Sequence, residues 1–115
     1  MRIRPERVAE TIKREMAEIL ANRMRDPRLG AMISVTDVEV TPDLSLARIF
    51  VSVLAAEPER DRALEALTHS AGFVRHELAP RLGLREIPEL RFLLDASIQQ
   101  GVRSLLAQGN VSLLR

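Results

Sequence analysis

No cysteine occurs among the 115 residues. Disulfides, thiolate metal centres and a cysteine nucleophile are therefore excluded, and a reducing compartment is compatible with the chain. Tryptophan and tyrosine are also absent, leaving three phenylalanines. So few rings make no platform for stacking splayed single-stranded bases, which argues against sequence-specific single-strand recognition. Long hydrophobic runs are missing as well. The start, Met1-Arg2-Ile3-Arg4-Pro5, has no apolar segment behind it, and the longest nearly apolar run, residues 50–56, is about a third of the ~20 residues a membrane span needs. No targeting or spanning segment is expected, and the expected location is cytoplasmic. Charge of one sign is lacking too. The net charge is +1 and the pI about 8.5, a weak electrostatic footprint for a nucleic-acid binder.

Among the 17 basic residues only Lys13 is lysine. The guanidinium fork of the others matches phosphate oxygens bidentately, although genomic base composition produces the same bias. Hydrophobic residues make up 46% and charged residues 29%, which suits a folded globular chain rather than a disordered one. The length suits one domain, with a core over about 5–108 and a short loose tail at 109–115.

Val8, Ile12, Met16, Ile19, Leu20 and Met24 recur at helical spacing, so an amphipathic helix is expected from Pro5 to about Arg25. Its other face carries Arg7, Glu10, Arg14, Glu18 and Arg25. Glu10 and Arg14 stand in the favourable i,i+4 order, and a solvated, self-paired surface is the preferred reading over an RNA contact. Asp26-Pro27-Arg28-Leu29-Gly30 is expected to end that helix in a turn. A strand follows over Ile33 to Val40. Its apolar parity changes at Thr36-Asp37, which points to a bulge. Thr41-Pro42-Asp43-Leu44-Ser45 then makes a turn, and Ala47, Ile49, Val51 and Val53 alternate as the second strand of a hairpin.

Glu57-Pro58-Glu59 suits a helix start, and Leu64, Leu67, Ala71, Val74 and Leu78 continue as a second stripe. Gly72 lies within it, and Pro80 with Gly83 ends it. Two helices with a joint and one helix with a tolerated glycine are both readings of this stretch. Phe73 favours the joint, because on a straight helix it falls off the stripe. Leu90, Phe92 and Leu94 alternate as a third strand, and Ser97-Ile98-Gln99-Gln100 is a capping box opening a short last helix.

Chemistry is sparse. His69 and His76, roughly two turns apart, show no third ligand in register for a metal. Asp37 and Glu39 share a strand face beside a turn, where exposed carboxylates are common. No G-x-S-x-G, Walker A or G-x-G-x-x-G pattern occurs. No catalytic residues, cofactor or metal are expected.

The order helix, strand, strand, helix, helix, strand is that of a type II KH domain, an α+β fold with a small mixed three-stranded sheet packed on helices. KH modules clamp nucleic-acid backbone with a G-x-x-G loop at the joint of their consecutive helices. Here the joint reads Ser70-Ala71-Gly72-Phe73. Together with Asp26-Pro27-Arg28-Leu29-Gly30, Val38-Glu39-Val40-Thr41-Pro42-Asp43, Ala47-Arg48-Ile49-Phe50-Val51-Ser52-Val53, Arg85-Glu86-Ile87-Pro88 and Phe92-Leu93-Leu94-Asp95-Ala96-Ser97, it resembles the ribosome-binding factor A family over nearly the whole chain. The resemblance implies a non-enzymatic assembly factor that binds the immature small (30S) ribosomal subunit and its 16S rRNA, with ribosomal proteins nearby, during rRNA maturation. It also implies that the Ala-x-Gly pattern, here Ser70-Ala71-Gly72, forms an interhelical kink in place of G-x-x-G.

The residues supply a rationale of their own. Gly72 removes a side chain at the bend, and a helix beginning near Phe73 would offer unpaired N–H groups to a phosphate. Arg75, His76, Arg81 and Arg85 follow and would track one phosphate strand. Ser70, Ala71, Gly72, Phe73, Arg75, His76, Arg81 and Arg85 are thus the candidate RNA-binding residues. The rival reading is a KH-like protein-interaction module without RNA binding. Each amphipathic face has a partner within the chain and no heptad seam is left over, so a monomer is expected. Sedimentation at micromolar concentration checks this, and a dimer persisting across a wide dilution range would reveal a missed interface.

Overall fold

The computed structural model describes residues 3–96. Helix α1 (Pro5–Asn22) starts on a proline, whose missing N–H falls among the groups a first turn leaves unpaired anyway. It buries Val8, Ile12, Met16, Ile19 and Leu20. Each such side chain gains about 1.5–3 kcal/mol over its exposed state, more than an exposed ion pair contributes, so the apolar stripe decides where α1 lies.

The Asp26–Gly30 string is not the turn expected from sequence. Asp26 is the N-cap of a six-residue helix, α2 (Pro27–Met32), and its carboxylate accepts from the Arg28 N–H at 3.0 Å. The Arg28 side chain closes on the same carboxylate, Nε to Oδ1 at 3.2 Å and a terminal nitrogen to Oδ2 at 3.3 Å. α2 then packs against the end of α1 so closely that a Cβ on Gly30 would lie 1.9 Å from the Leu20 carbonyl oxygen.

Strand β1 (Ile33–Val40) pairs antiparallel with β2 (Leu46–Val53), and β2 pairs parallel with β3 (Glu89–Leu94), giving a mixed sheet in the order β1-β2-β3. The bulge expected at Thr36-Asp37 is there, as a register shift between Val35 and Asp37. It keeps Ile33 and Val35 on one side of it, and Val38 and Val40 on the other, opposite the buried β2 residues Val53, Val51, Ile49 and Ala47. The Thr36 hydroxyl lies 2.6 Å from Asp95 Oδ2, tying the bulge to the residue after β3.

In the hairpin loop Leu44 takes a positive φ of 63°. Asp43 holds that turn, its Oδ1 accepting from the Thr41 hydroxyl, the Ser45 N–H and the Ser45 hydroxyl. These bonds hold the Asp43 carboxyl below the usual carboxylate range, those from Ser45 contributing most.

Helices α3 (Glu59–His69) and α4 (Ala71–Leu82) form the crossover. Ala63, Leu67, Val74 and Leu78 continue the core begun by α1 and the sheet. Pro80 lies inside the last turn of α4 rather than ending it. The stop is Gly83, whose φ of 65° is the left-handed C-cap conformation. The α-β-β-α-α-β frame with its mixed three-stranded sheet is therefore the KH-like one expected, with α2 as an added element. The expected helix from Ser97 lies outside the described residues.

Two glycines make opposite predictions. Helix propensity favours alanine over glycine by up to about 1 kcal/mol, but at Gly30 the collision with a backbone oxygen overrides it. Gly30→Ala should destabilise by about 3 kcal/mol, at the upper end of overpacking penalties. At Gly72 a Cβ meets nothing within 4 Å, so Gly72→Ala should be neutral or stabilising by up to about 1 kcal/mol. Urea unfolding of both variants beside the parent reads the two signs.

Candidate nucleic-acid interface

α3 and α4 are separated by the single residue Ser70, with φ −88° and ψ 3°, so the stripe is broken into two helices. The Ser70 N–H donates to the Ala66 and Leu67 carbonyls at 3.1 and 3.0 Å, and its hydroxyl donates to Ala66 at 3.0 Å. This one residue thus supplies donors to the last turn of α3. Among the described residues no side chain caps α4. The bend lies at Ser70, not at Gly72, and α4 begins at Ala71, two residues earlier than expected. Gly72 has no positive φ and no close internal neighbour. Among the described residues its missing side chain leaves open space on the exposed side of α4.

Phe73 is half-buried against the core and walls a pocket of about 450 Å³ at the joint, with Met24, Leu29 and Ala66 as its other apolar residues. Arg25, Asp26, His69 and Ser70 complete the lining. Sequence reasoning missed Arg25 and His69 as neighbours of the joint. No periodicity within either segment says that the corner between α1 and α2 meets the α3–α4 break.

The expected cations do not form one row. By helical phase Gly72, Arg75 and His76 share the outer, exposed face of α4, whereas Phe73, Glu77 and Arg81 run along the side toward α1. Arg75 donates to the Ile87 carbonyl at 2.9 Å, which draws α4 against the loop carrying exposed Arg85. Arg81 instead donates to Glu18 and lies 3.6 Å from Glu15. That pairing departs from the sequence expectation, because Arg81 must release Glu18 before it can reach a phosphate. Arg23 joins the same seam, 3.9 Å from Glu18 and 3.8 Å from Glu77. The Arg81 hydrogen bond holds the Glu18 carboxyl below the usual carboxylate range and raises the Arg81 guanidinium.

With Glu18 drawn to α4, the charged face of α1 is not self-paired as expected. Among the described residues no ion pair within 4 Å joins Glu10 to Arg14. Exposed Arg7 and Arg14 are less compensated than their spacing implied.

A family model described as ribosome-binding factor A matches residues 4–105, a span that includes the joint and every candidate residue. A ribosome-binding factor A from Acetivibrio thermocellus is 48% identical over 98 residues, covering 85% of this chain and 80% of the relative. The crystal structure of ribosome-binding factor A from Thermus thermophilus superimposes with a TM-score of 0.68 at 28% identity, over 80% of this chain and 97% of that one. A homology model of the Thermus thermophilus factor, fitted into the cryo-EM map of a 30S–RbfA complex, superimposes with a TM-score of 0.54 at 28% identity, over 72% and 90% of the two chains.

The Glu18–Arg81 contact has a pH signature. Since the folded-state carboxyl titrates below its ordinary value, its contribution is complete above the carboxylate range and is lost as pH falls through the lowered value. Glu18→Gln should lower the urea midpoint at neutral pH, with the gap from the parent closing in acid. A gap independent of pH would show that packing, not charge, links α1 to α4.

Proposed function

The chain belongs to the ribosome-binding factor A family, and we propose that it binds the small ribosomal subunit through 16S rRNA backbone at the α3–α4 joint. In this reading it acts in the cytoplasm as a non-enzymatic assembly factor on immature subunits, assisting rRNA maturation. The observation that carries it is the open space over Gly72 beside uncapped α4. A phosphate there meets first-turn N–H groups at the positive end of a helix dipole, with no side chain in the way. Arg75 and His76, one turn on and on the same exposed face, add charge-assisted contacts, and Arg85 extends the track from the adjoining loop. Ser70 and Ala71 shape the joint and Phe73 anchors it from inside. Arg81 is an indirect member, holding α4 to α1 through Glu18. A related factor fitted into a 30S complex supports the choice of partner. Scarce aromatic rings fit recognition by backbone and shape rather than by base stacking.

Gly72→Leu projects into open space, so it should fold like the parent while weakening cosedimentation with immature small subunits. Glu59→Ala, at the far end of α3, should bind normally. If the folded Gly72→Leu protein cosediments like the parent, the joint is not the binding element.

Charge removal gives a second test. Arg75→Ala with Arg85→Ala should weaken binding and flatten the dependence of log affinity on log salt by about 0.7–0.9 per lost phosphate contact. The same measurement on Arg7→Ala with Arg14→Ala checks the face of α1, and finding the flattened slope only there would move the interface to that helix.

A further inference from the structure

A groove of about 640 Å³ runs between the first half of α1 and the second half of β1, away from the joint. Every residue from Asp37 to Pro42 lines it. Successive side chains of a strand point to opposite faces, so consecutive residues share a groove only where it follows the strand's edge. Among the described residues β1 is an edge strand whose one neighbour in the sheet is β2.

The hydrogen-bond phase shows which backbone groups face outward. The Thr41 N–H donates to the Leu46 carbonyl, so Thr41–Leu46 is a hydrogen-bonded pair and, two residues along, so is Glu39–Arg48. The intervening Val38–Ile49 and Val40–Ala47 pairs turn the N–H and C=O groups of Val38 and Val40 away from β2, to the groove side. The Val38 N–H is held by its neighbour's side chain, donating to Asp37 Oδ1 at 2.9 Å. That local bond shields one amide of a free edge, in the manner of other edge-protecting devices.

Charge selects the occupant. Glu6, Glu10, Asp37 and Glu39 border the groove against Lys13 and Arg48, over a floor that includes Ala9, Val38 and Val40. Among the described residues none of the four carboxylates forms an ion pair within 4 Å. Such a surface repels a phosphate backbone and attracts lysine or arginine.

We propose that this groove receives an extended, arginine- or lysine-rich segment of a partner protein, which adds a fourth strand to the sheet along β1. The incoming strand's carbonyl accepts the Val38 N–H from Asp37, and the released carboxylate turns to a cation of the segment. Its alternate, apolar side chains lie over Ala9 and Val40. Backbone pairing supplies affinity, and the bordering carboxylates supply the preference for basic sequence. The site is separate from the rRNA-binding joint, so it is tested on the chain alone, without ribosomes.

The full chain is titrated with a labelled octapeptide of alternating arginine and valine. The comparison peptides are its glutamate–valine counterpart and two versions N-methylated at alternate residues, one for each parity. Amide shifts are followed by NMR. The expected result is saturable binding of the arginine–valine peptide, with shifts centred on residues 5–13 and 37–42. Binding should be lost with one methylated parity and weakened roughly tenfold by Glu6→Lys with Glu10→Lys. No binding by the arginine–valine peptide overturns the proposal, as does equal binding by the acidic peptide or by both methylated forms. Shifts of the same amides by an RNA oligonucleotide would assign the groove to nucleic acid and overturn it too.

Discussion

The approach of α2 to α1 at Gly30 is the constraint on which the rest depends. A helix end seated against the Leu20 carbonyl, at a spacing no Cβ permits, decides where the chain enters β1. It also puts Met24, Arg25, Asp26 and Leu29 in one corner, and that corner forms the near wall of the joint pocket. The Asp26 cap and the Arg28 fork on it fix where α2 begins, and Gly30 fixes how deep it sits. One five-residue string thus sets the start of the sheet and half of the surroundings of the candidate interface.

A second organising feature is the division of labour along α4. The residues facing α1 are used for cohesion: Arg81 and Glu77 meet Glu18 and Arg23 across the helix pair. Those facing outward, Gly72, Arg75 and His76, remain open to a ligand. Exposed ion pairs contribute little to stability by themselves, so the core beneath, Val74 and Leu78 with Ile12 and Met16, holds the two helices together. A nearly neutral chain can in this way present cations locally, because several of its carboxylates are engaged in the seam.

The two surfaces differ in chemistry as well as place. At the joint a helix N-terminus and exposed cations suit phosphate. At the β1 edge, carboxylates that form no ion pair among the described residues, and backbone groups turned outward, suit a basic strand. A net charge near zero conceals both, since it averages over faces of opposite character.

Much of the fold was legible in the sequence because it rests on short-range periodicity. The 3.6-residue stripe of α1, the alternation of β2 and the parity change at Thr36-Asp37 each arise from which face of one element is buried, a property that neighbouring residues report. The joint was legible for a similar reason, since Phe73 falls off the stripe that Val74 and Leu78 keep. The Asp26–Gly30 string misled because an N-cap aspartate, a proline and a glycine serve a turn and a short helix equally well. The partners of charged residues were not legible at all. Glu18 and Arg81 are 63 positions apart, and helical spacing suggested pairing along α1 instead. The sequence by itself determined the elements other than α2, their buried faces and the family. Only the tertiary structure decided which cations are spent on cohesion, which surround the joint and which strand edge stays open, because those contacts depend on packing between distant segments.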